Sequence, residues 1–185
     1  MLSDVFYLSL GSLELQAERT IDSSLNTRPI AIISSTGATG TVVILSTEAE
    51  EEGLYKGMKV SLAKRKSNRV QFLPYNHSLY QRVNNYVYQT ISRFTPVIEP
   101  SGMSGFYMDM KGLITPKRNI KDIGFSVLGQ IDNRVSLFST VGISINKLIS
   151  KIITNVVPEN IHEVLPGTEH HFLAPLDYSV LPTAR

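Results

Sequence analysis

The basic side chains are the strongest chemical signal in this sequence, because they fall into two clusters. Residues 56–69 hold six basic residues and no acid, and residues 117–151 hold six more against Asp122 and Asp132. Clustered positive charge attracts phosphate backbones without reading base sequence. On charge alone, an ordinary solvated surface is the more common outcome. The members are Lys56, Lys59, Lys64, Arg65, Lys66 and Arg69 in the first cluster, and Lys117, Arg118, Lys121, Arg134, Lys147 and Lys151 in the second.

Other patterns carry weaker chemistry. The loop STGATG at residues 35–40 has two glycines but lacks the lysine and the following helix of a phosphate-binding loop, so a hairpin turn is the better interpretation. The neighbours His170 and His171 would point to opposite sides of an extended segment. We therefore predict an exposed histidine pair there and no metal site.

The composition excludes several classes of protein. The 185 residues suffice for one domain with a core or for two small lobes, and the 42% hydrophobic and 18% charged residues argue against disorder. No apolar run approaches the roughly 20 residues that span a bilayer, and the N-terminus has no positive segment of a signal peptide. The absence of cysteine removes disulfides and zinc–thiolate sites. The sequence therefore predicts a cytoplasmic protein without a membrane partner.

Hydrophobic periodicity predicts the elements that position these residues. The segment at 77–94 is the longest amphipathic stretch, with apolar residues at steps of three and four. The order after the first strand and an inserted lobe is helix, strand, strand, helix, strand, helix. This is a split βαβ pattern with two helices on one face of an antiparallel-rich sheet, an α+β fold. Strands are predicted at 5–10, 29–34, 41–46, 71–73, 97–100, 105–110 and 137–143, and helices at 12–20, within 48–66 (broken at Gly53 and Gly57), at 77–94, 116–133 and 145–157, before an extended, proline-punctuated tail.

Four ordered stretches resemble the Y-family, or translesion, DNA polymerases. The first strand and helix are similar to the family's first metal-binding strand, which is followed by a helix with a glutamate, here Glu18. The others resemble its fingers motif, its second catalytic hairpin and its Gly-Ile-x-x-Asn-Lys junction, and the tail looks like the approach to the thumb in ImuB-like members. The stretches are VFYLSLGSLELQAE from Val5, EAEEEGLYKGM from Glu48, IEPSGMSGFYMDM from Ile98 and GISINKLISKII from Gly142.

The resemblance implies a domain organisation. A Y-family palm, a split βαβ ferredoxin-like sheet with helices on one face, would comprise residues 1–11 and 75–160. A small inserted fingers lobe would comprise residues 12–74. Residues 161–185 would form an extended segment leading toward a thumb, which is expected to be missing together with the little finger.

Four positions that carry metal-binding carboxylates in the family differ here. Two aspartates of the first strand correspond to Ser9 and Gly11, and the Asp-Glu pair of the second hairpin corresponds to Ser104 and Gly105. Hard cations such as magnesium require several oxygen ligands, mainly carboxylates. We therefore predict no catalytic residue, no bound metal and no cofactor, with magnesium not binding at the family site.

The family's triphosphate contacts differ as well. A tyrosine and an arginine of the fingers motif correspond to Thr47 and Glu50, and an anion repels a triphosphate. Retained cations are candidates for DNA contacts, with solvated lysines as the alternative. These candidates are Lys147, Lys151, Lys56, Lys64, Arg65 and Lys66.

The combined prediction is a pseudo-polymerase, not an enzyme, that acts in bacterial DNA repair and translesion synthesis. The resemblance to ImuB-like proteins implies an adaptor or DNA-binding accessory in SOS mutagenesis, located at the nucleoid. Its partners would be DNA, bound weakly or without sequence preference, and an error-prone replicative polymerase, a sliding clamp or accessory mutagenesis proteins. Two alternatives stay open: an active error-prone polymerase fragment with relocated ligands such as Glu14 or Asp109, and an unrelated α+β binding module.

Overall fold

The structure is a computed structural model that describes residues 4–37, 39–113 and 119–181. The chain forms two compact units, unit 1 from Met1–Gly11 with Val83–Arg185 and unit 2 from Ser12–Arg82. The strands are β1 (Val5–Ser9), β2 (Ile30–Ile33), β3 (Val42–Leu45), β4 (Gln71–Pro74), β5 (Ile98–Pro100), β6 (Gly105–Asp109), β7 (Thr140–Ser144) and β8 (Ile161–Glu163). The helices are α1 (Leu13–Ile21), α2 (Thr47–Glu51), α3 (Val60–Lys66), α4 (His77–Ile91), α5 (Ile120–Val135), α6 (Lys147–Val156) and α7 (Glu169–Leu173).

Unit 1 is built on a five-stranded sheet in the order β5-β6-β1-β7-β8. β1 is antiparallel to both β6 and β7, and β8 joins the edge parallel to β7. A parallel pair needs a crossover connection, which α6 supplies. The four strands β5, β6, β1 and β7, with α4 and α5 between them in the chain, form the predicted split βαβ arrangement.

One face of this sheet carries α4 and α5. Leu8 of β1 and its cross-strand partner Phe106 of β6 are fully buried on that face. The ring of Tyr88 in α4 lies 6.3 Å from the ring of Phe106. On α5, a Cβ placed at Gly124 would lie 3.7 Å from Cδ1 of Ile143, which points to the same face. The packing confirms two helices on one face.

The other face of the sheet carries α6. Gly142 precedes Ile143 in β7 and therefore faces the opposite side of the sheet. A Cβ at Gly142 would lie 2.0 Å from the backbone oxygen of Ser150 in α6. Only glycine lets the helix backbone approach the strand this closely. The structure thereby refines the predicted helix placement, because the third helix lies across the sheet from the first two.

Unit 2 has a three-stranded sheet in the order β3-β2-β4. β2 is antiparallel to β3 and parallel to β4, and all four of its residues are buried. Strands buried on both faces read as continuous apolar runs, as IAII does here. The buried cluster consists of Ala31, Ile33, Val42, Ala49, Leu54, Met58, Val60, Ala63 and Val70.

The start and the end of α2 have clear local causes. Ser46, 2% exposed, accepts hydrogen bonds at Oγ from the N–H of Ala49 at 3.3 Å and from the N–H of Ile30 at 3.0 Å. The hydroxyl thus caps the helix and ties it to β2. Past the helix end, Gly53 has φ +82°, which L side chains rarely adopt. The break predicted at Gly53 is therefore present.

The predicted strands and helices appear in the predicted order, and the main differences lie toward the C-terminus. Part of the helix predicted at 116–133 lies outside the described residues, because these do not include 114–118. The sequence predicts no strand at β8. The segment predicted to be extended, 161–185, is so only in part, because α7 and a 3-10 turn at Tyr178–Val180 follow the short strand β8. Phe172 and Leu173 of α7 pack against a buried cluster of Ile149, Ile153 and Val164, and this apolar contact favours a helix over extended chain.

The predicted palm (1–11 and 75–160) and fingers (12–74) stay predictions, because the two compact units do not test the assignment of these domains or their boundaries. Among the helices of the described residues, none combines the length and the apolar character that a bilayer span requires.

Candidate nucleic-acid interface

The four positions aligned with the family's carboxylates meet where β1 ends and β6 begins. Ser9 is the cross-strand partner of Gly105, and the N–H of Leu10 donates to the carbonyl of Ser104 at 2.8 Å. Gly11, exposed with φ +56°, donates its N–H to Ser9 Oγ at 3.3 Å. The fold therefore brings together residues that lie far apart in sequence.

These positions do not themselves fit a metal ion. Ser9 offers a neutral hydroxyl, and Gly11 and Gly105 offer only backbone. Across residues 4–37, 39–113 and 119–181, no three His, Asp or Glu side chains converge as a metal site would require. A Cβ at Gly105 would lie 2.2 Å from Oη of Tyr7, so a tyrosine hydroxyl fills the space of a side chain at this position.

Beside Ser9, one sheet face carries a group that we call the tyrosine–lysine cluster. It consists of Tyr7, Glu99, Ser101, Tyr107, Lys147 and Lys151. The register aligns Glu99, Tyr107 and Tyr7 across β5, β6 and β1. The two tyrosine rings lie 4.7 Å apart. The cluster therefore depends on strand pairing, which sets its aromatic floor.

Both lysines of the cluster lie over tyrosine rings. Lys147 Nζ is 5.4 Å from the ring centre of Tyr107, and Lys151 Nζ is 5.6 Å from that of Tyr7. Lys147 also forms an ion pair with Glu99. Lys151 donates to Ser101 Oγ at 3.4 Å. The rings orient both ammonium groups, and Lys151 has no acidic partner among its described contacts.

The tyrosine hydroxyls of the cluster stay protonated at neutral pH. Burial raises the pKa of Tyr7, although a hydrogen bond with Ser101 opposes this. Burial also raises the pKa of Tyr107, and the neighbouring Tyr7 adds to the effect. The two ammonium groups supply donors and positive charge, the chemistry that binds a phosphate oxygen, and the neutral tyrosines beside them add no opposing negative charge.

The two predicted nucleotide-binding positions lie on α2 in unit 2. Thr47 begins the helix and Glu50 follows one turn later, and both are exposed. Glu48 pairs with Arg19 at 3.0 Å. The Ser46 hydroxyl and then Arg19 hold the pKa of Glu48 below its usual range, so this helix start is anionic at neutral pH.

The basic candidates of unit 2 are surface residues. Lys56, Lys64, Arg65 and Lys66 are all exposed. Lys64 Nζ lies 5.8 Å from the ring centre of Phe72. Their neighbour Arg69 is paired with Glu52 at 2.9 Å, so part of the first basic cluster is neutralised.

The proposed relocated ligand Asp109 has a local role. Its Oδ1 accepts the N–H of Lys111 at 2.8 Å and caps the turn after β6. Tyr7 and Ser101 were not predicted as site residues. The alternation of β1 already placed Tyr7 on the face of Ser9, and this was the available signal.

The chain belongs to the impB/mucB/samB family, whose profile matches residues 5–155. It is 28% identical over 179 residues to a protein of Dehalococcoides mccartyi named DNA polymerase IV, covering 96% of this chain and 46% of that one. It is 26% identical over 182 residues to DNA polymerase IV of Metallosphaera sedula, covering 96% and 52%. The chain thus spans about half the length of these relatives.

Solved structures confirm the predicted fold. The DinB structure from Sulfolobus solfataricus matches with a TM-score of 0.87 at 20% identity, covering 98% of this chain and 54% of that one. An insertion ternary complex of Dbh DNA polymerase matches with a TM-score of 0.84 at 20% identity, covering 96% and 53%. The α+β fold of the Y-family polymerases, and the resemblance on which its prediction depended, are therefore shown.

Two predictions are corrected by these comparisons. The chain was predicted not to be an enzyme, but its relatives are named DNA polymerase IV and its structural neighbours are polymerases, which points to an enzyme. The prediction of no cofactor is contradicted on the same ground, since nucleotidyl transfer by polymerases uses metal ions. Four substituted ligand positions describe local chemistry only and do not define the class of protein.

Proposed function

We propose that this chain is the palm and fingers portion of a Y-family polymerase and binds primer–template DNA during translesion synthesis, within DNA repair. The tyrosine–lysine cluster carries the proposal. It presents two ring-oriented ammonium groups on one sheet face, above two tyrosines that stay neutral at pH 7. Family membership supports the choice of DNA as the ligand.

The chemistry of the cluster suits a backbone phosphate. Lysine binds phosphate as a point charge, and such a contact does not read base sequence. Lys151, half-buried and near Ser101, is the stronger contact. Lys147 is already paired with Glu99 and contributes less.

The exposed cations of unit 2 support the same ligand. Lys64, Arg65 and Lys66 are consecutive and lie in the last turn of α3. Such a basic surface adds affinity for a nucleic-acid backbone that falls with salt.

The proposed role is in damage-induced mutagenesis at the bacterial nucleoid. DNA synthesis is the activity named for the relatives, and the residues described here support its DNA-binding part. An adaptor role would add protein partners, for which a polymerase, a sliding clamp or accessory mutagenesis proteins remain the candidates.

The test is binding of a primer–template duplex across a salt series, measured by fluorescence anisotropy. We expect Lys147→Ala/Lys151→Ala to weaken binding about tenfold at 0.1 M salt and to reduce the salt slope by about 1 to 2. Each phosphate contact that is lost removes about 0.9 from that slope.

The matched control is Lys111→Ala, which removes one exposed lysine of unit 1 outside both basic clusters. It should keep the affinity and the slope. Lys64→Ala/Arg65→Ala/Lys66→Ala tests the unit 2 surface separately. Wild-type affinity and slope in both multiple variants would contradict the proposed function.

A further inference from the structure

A cavity of about 430 Å³ lies in unit 1 where α5 leads into β7. Its α5 wall is formed by Phe125, Leu128, Gly129 and Asp132, which are spaced at i, i+3, i+4 and i+7 and share one side of the helix. Leu137, Phe138, Ser139 and Asn160 complete the lining. We call it the Phe125–Phe138 cavity.

This side of α5 is distinct from the side that packs on the sheet. The helix buries Ile123, Gly124, Val127 and Ile131. Phe125 and Phe138 are each 61% exposed. The helix therefore presents a second apolar stripe, at the cavity, in addition to its core stripe.

Gly129 has no packing reason to be glycine. A Cβ there meets no atom of the described residues within 4 Å, whereas one at Gly124 on the core side would lie 3.3 Å from Ile161. Its φ is not positive, and glycine inside a helix costs about 1 kcal/mol relative to alanine. The missing side chain at Gly129 leaves the cavity open in this structure.

The walls indicate the kind of occupant. A small-molecule site buries about 70–90% of its ligand, but the two phenylalanines that form these walls stand more than half in solvent. Exposed aromatic side chains around one recess are typical of a protein interface that receives an anchor side chain. The recess thus fits one side chain of a partner segment.

The charge at the cavity indicates which residue types the partner segment carries. Asp132 is exposed at the cavity and is its only charged lining residue among those described. A carboxylate beside an apolar recess is complementary to an apolar side chain with a neighbouring cation.

We propose that the Phe125–Phe138 cavity is a docking site for a partner protein segment that inserts a large apolar side chain and places an adjacent lysine or arginine against Asp132. The site is separate from the tyrosine–lysine cluster and does not depend on DNA binding.

The test titrates the 15N-labelled protein with three blocked tetrapeptides and follows backbone amide shifts. The probes are acetyl-Gly-Phe-Arg-Gly-amide, its glutamate counterpart with Glu for Arg, and its alanine counterpart with Ala for Phe. The Phe-Arg peptide should shift the amides of Gly129, Ser139 and Asn160. Its Kd should be about fivefold lower than that of the Phe-Glu peptide and at least about tenfold lower than that of the Ala-Arg peptide.

Two variants locate the binding. Gly129→Leu places a side chain in the cavity from a position where an added Cβ has open space, and it should abolish the shifts. Ser126→Leu adds the same side chain at an exposed α5 position that does not line the cavity, and it should keep them. Asp132→Asn should remove the preference for Arg over Glu.

Three kinds of outcome would overturn the proposal. The first is equal binding of the Phe-Arg and Phe-Glu peptides, or binding that survives in Gly129→Leu. The second is phenethylammonium binding as tightly as the Phe-Arg peptide, which would mean a small-molecule site. The third is the appearance of the same amide shifts when the protein concentration alone is raised, which would assign the cavity to a second copy of this chain.

Discussion

Replacing Gly142 by alanine is expected to lower the free energy of unfolding by about 3 kcal/mol, measured by urea denaturation. The new Cβ would lie 2.0 Å from the backbone oxygen of Ser150 and 2.9 Å from Cβ of Ile153. Neither atom can rotate away, because both belong to the framework of α6. The helix must therefore move off β7 and break the close packing of that face.

Two other glycines are matched controls for this prediction. At Gly105 the nearest obstacle is the hydroxyl of Tyr7, the end of a side chain, and the nearest backbone atom, the oxygen of Ser101, lies 3.1 Å away, so Gly105→Ala should cost less, about 1 to 2 kcal/mol. Gly129→Ala should raise stability by about 0.4 to 1 kcal/mol, because it meets open space inside a helix. A Gly142→Ala protein as stable as the wild type would show that α6 does not lie against β7.

Stability is expected to fall above about pH 10, and Tyr80→Phe is expected to reduce that fall. Tyr80 is fully buried and donates its hydroxyl to Glu18 Oε1 at 2.7 Å. Burial, and then the hydrogen bond to Glu18, raise the pKa of Tyr80 well above its usual range. Above pH 10 the unfolded tyrosine ionises while the folded one stays protonated. Stability is therefore complete below the unfolded pKa and falls by about 1.4 kcal/mol per pH unit above it.

The variant has a second effect at neutral pH. Removing the hydroxyl leaves Glu18 without this donor, so Tyr80→Phe should lose about 2 kcal/mol at pH 7. Urea unfolding between pH 7 and 11.5 measures both effects. Tyr7 and Tyr107 have raised pKa values of the same sign, so the variant's alkaline slope should decrease without vanishing.

Tyr55→Phe is the control for the tyrosine prediction. Tyr55 is 57% exposed in unit 2, and its removal should leave both the stability at pH 7 and the alkaline slope unchanged. If the Tyr80→Phe and wild-type curves run parallel from pH 9 to 11.5, the buried tyrosine does not carry the alkaline loss.

Much of the fold was predictable from local sequence. The apolar steps at 77–94 predicted α4, and the alternation at 5–10 predicted β1, since both periods follow from backbone geometry. The tail at residues 169–173 was not predictable. Its apolar residues pair with α6 in space and have no helical period of their own over so short a stretch.

The candidate site was likewise predictable from the sequence only in part. The sequence aligned Ser9 and Gly105 with positions that carry metal-binding carboxylates in the family, and the strand register makes these two residues cross-strand partners. It did not predict that Tyr7 fills the space beside Gly105, because that depends on a side chain from another strand. It also led to a wrong conclusion on enzyme class, since missing ligands at a few positions do not define what a family of proteins does.

By itself, the sequence determined the α+β class, the main helices and strands and the family resemblance, because these follow from periodicity and from motifs within short stretches. Only the tertiary structure decided that Lys151 lies over Tyr7, that α6 closes on Gly142, and that Gly129 opens a cavity between α5 and the start of β7. Each of these depends on residues brought together across strands and helices. Their distances are set by strand register and helix packing, which no local pattern in the chain encodes.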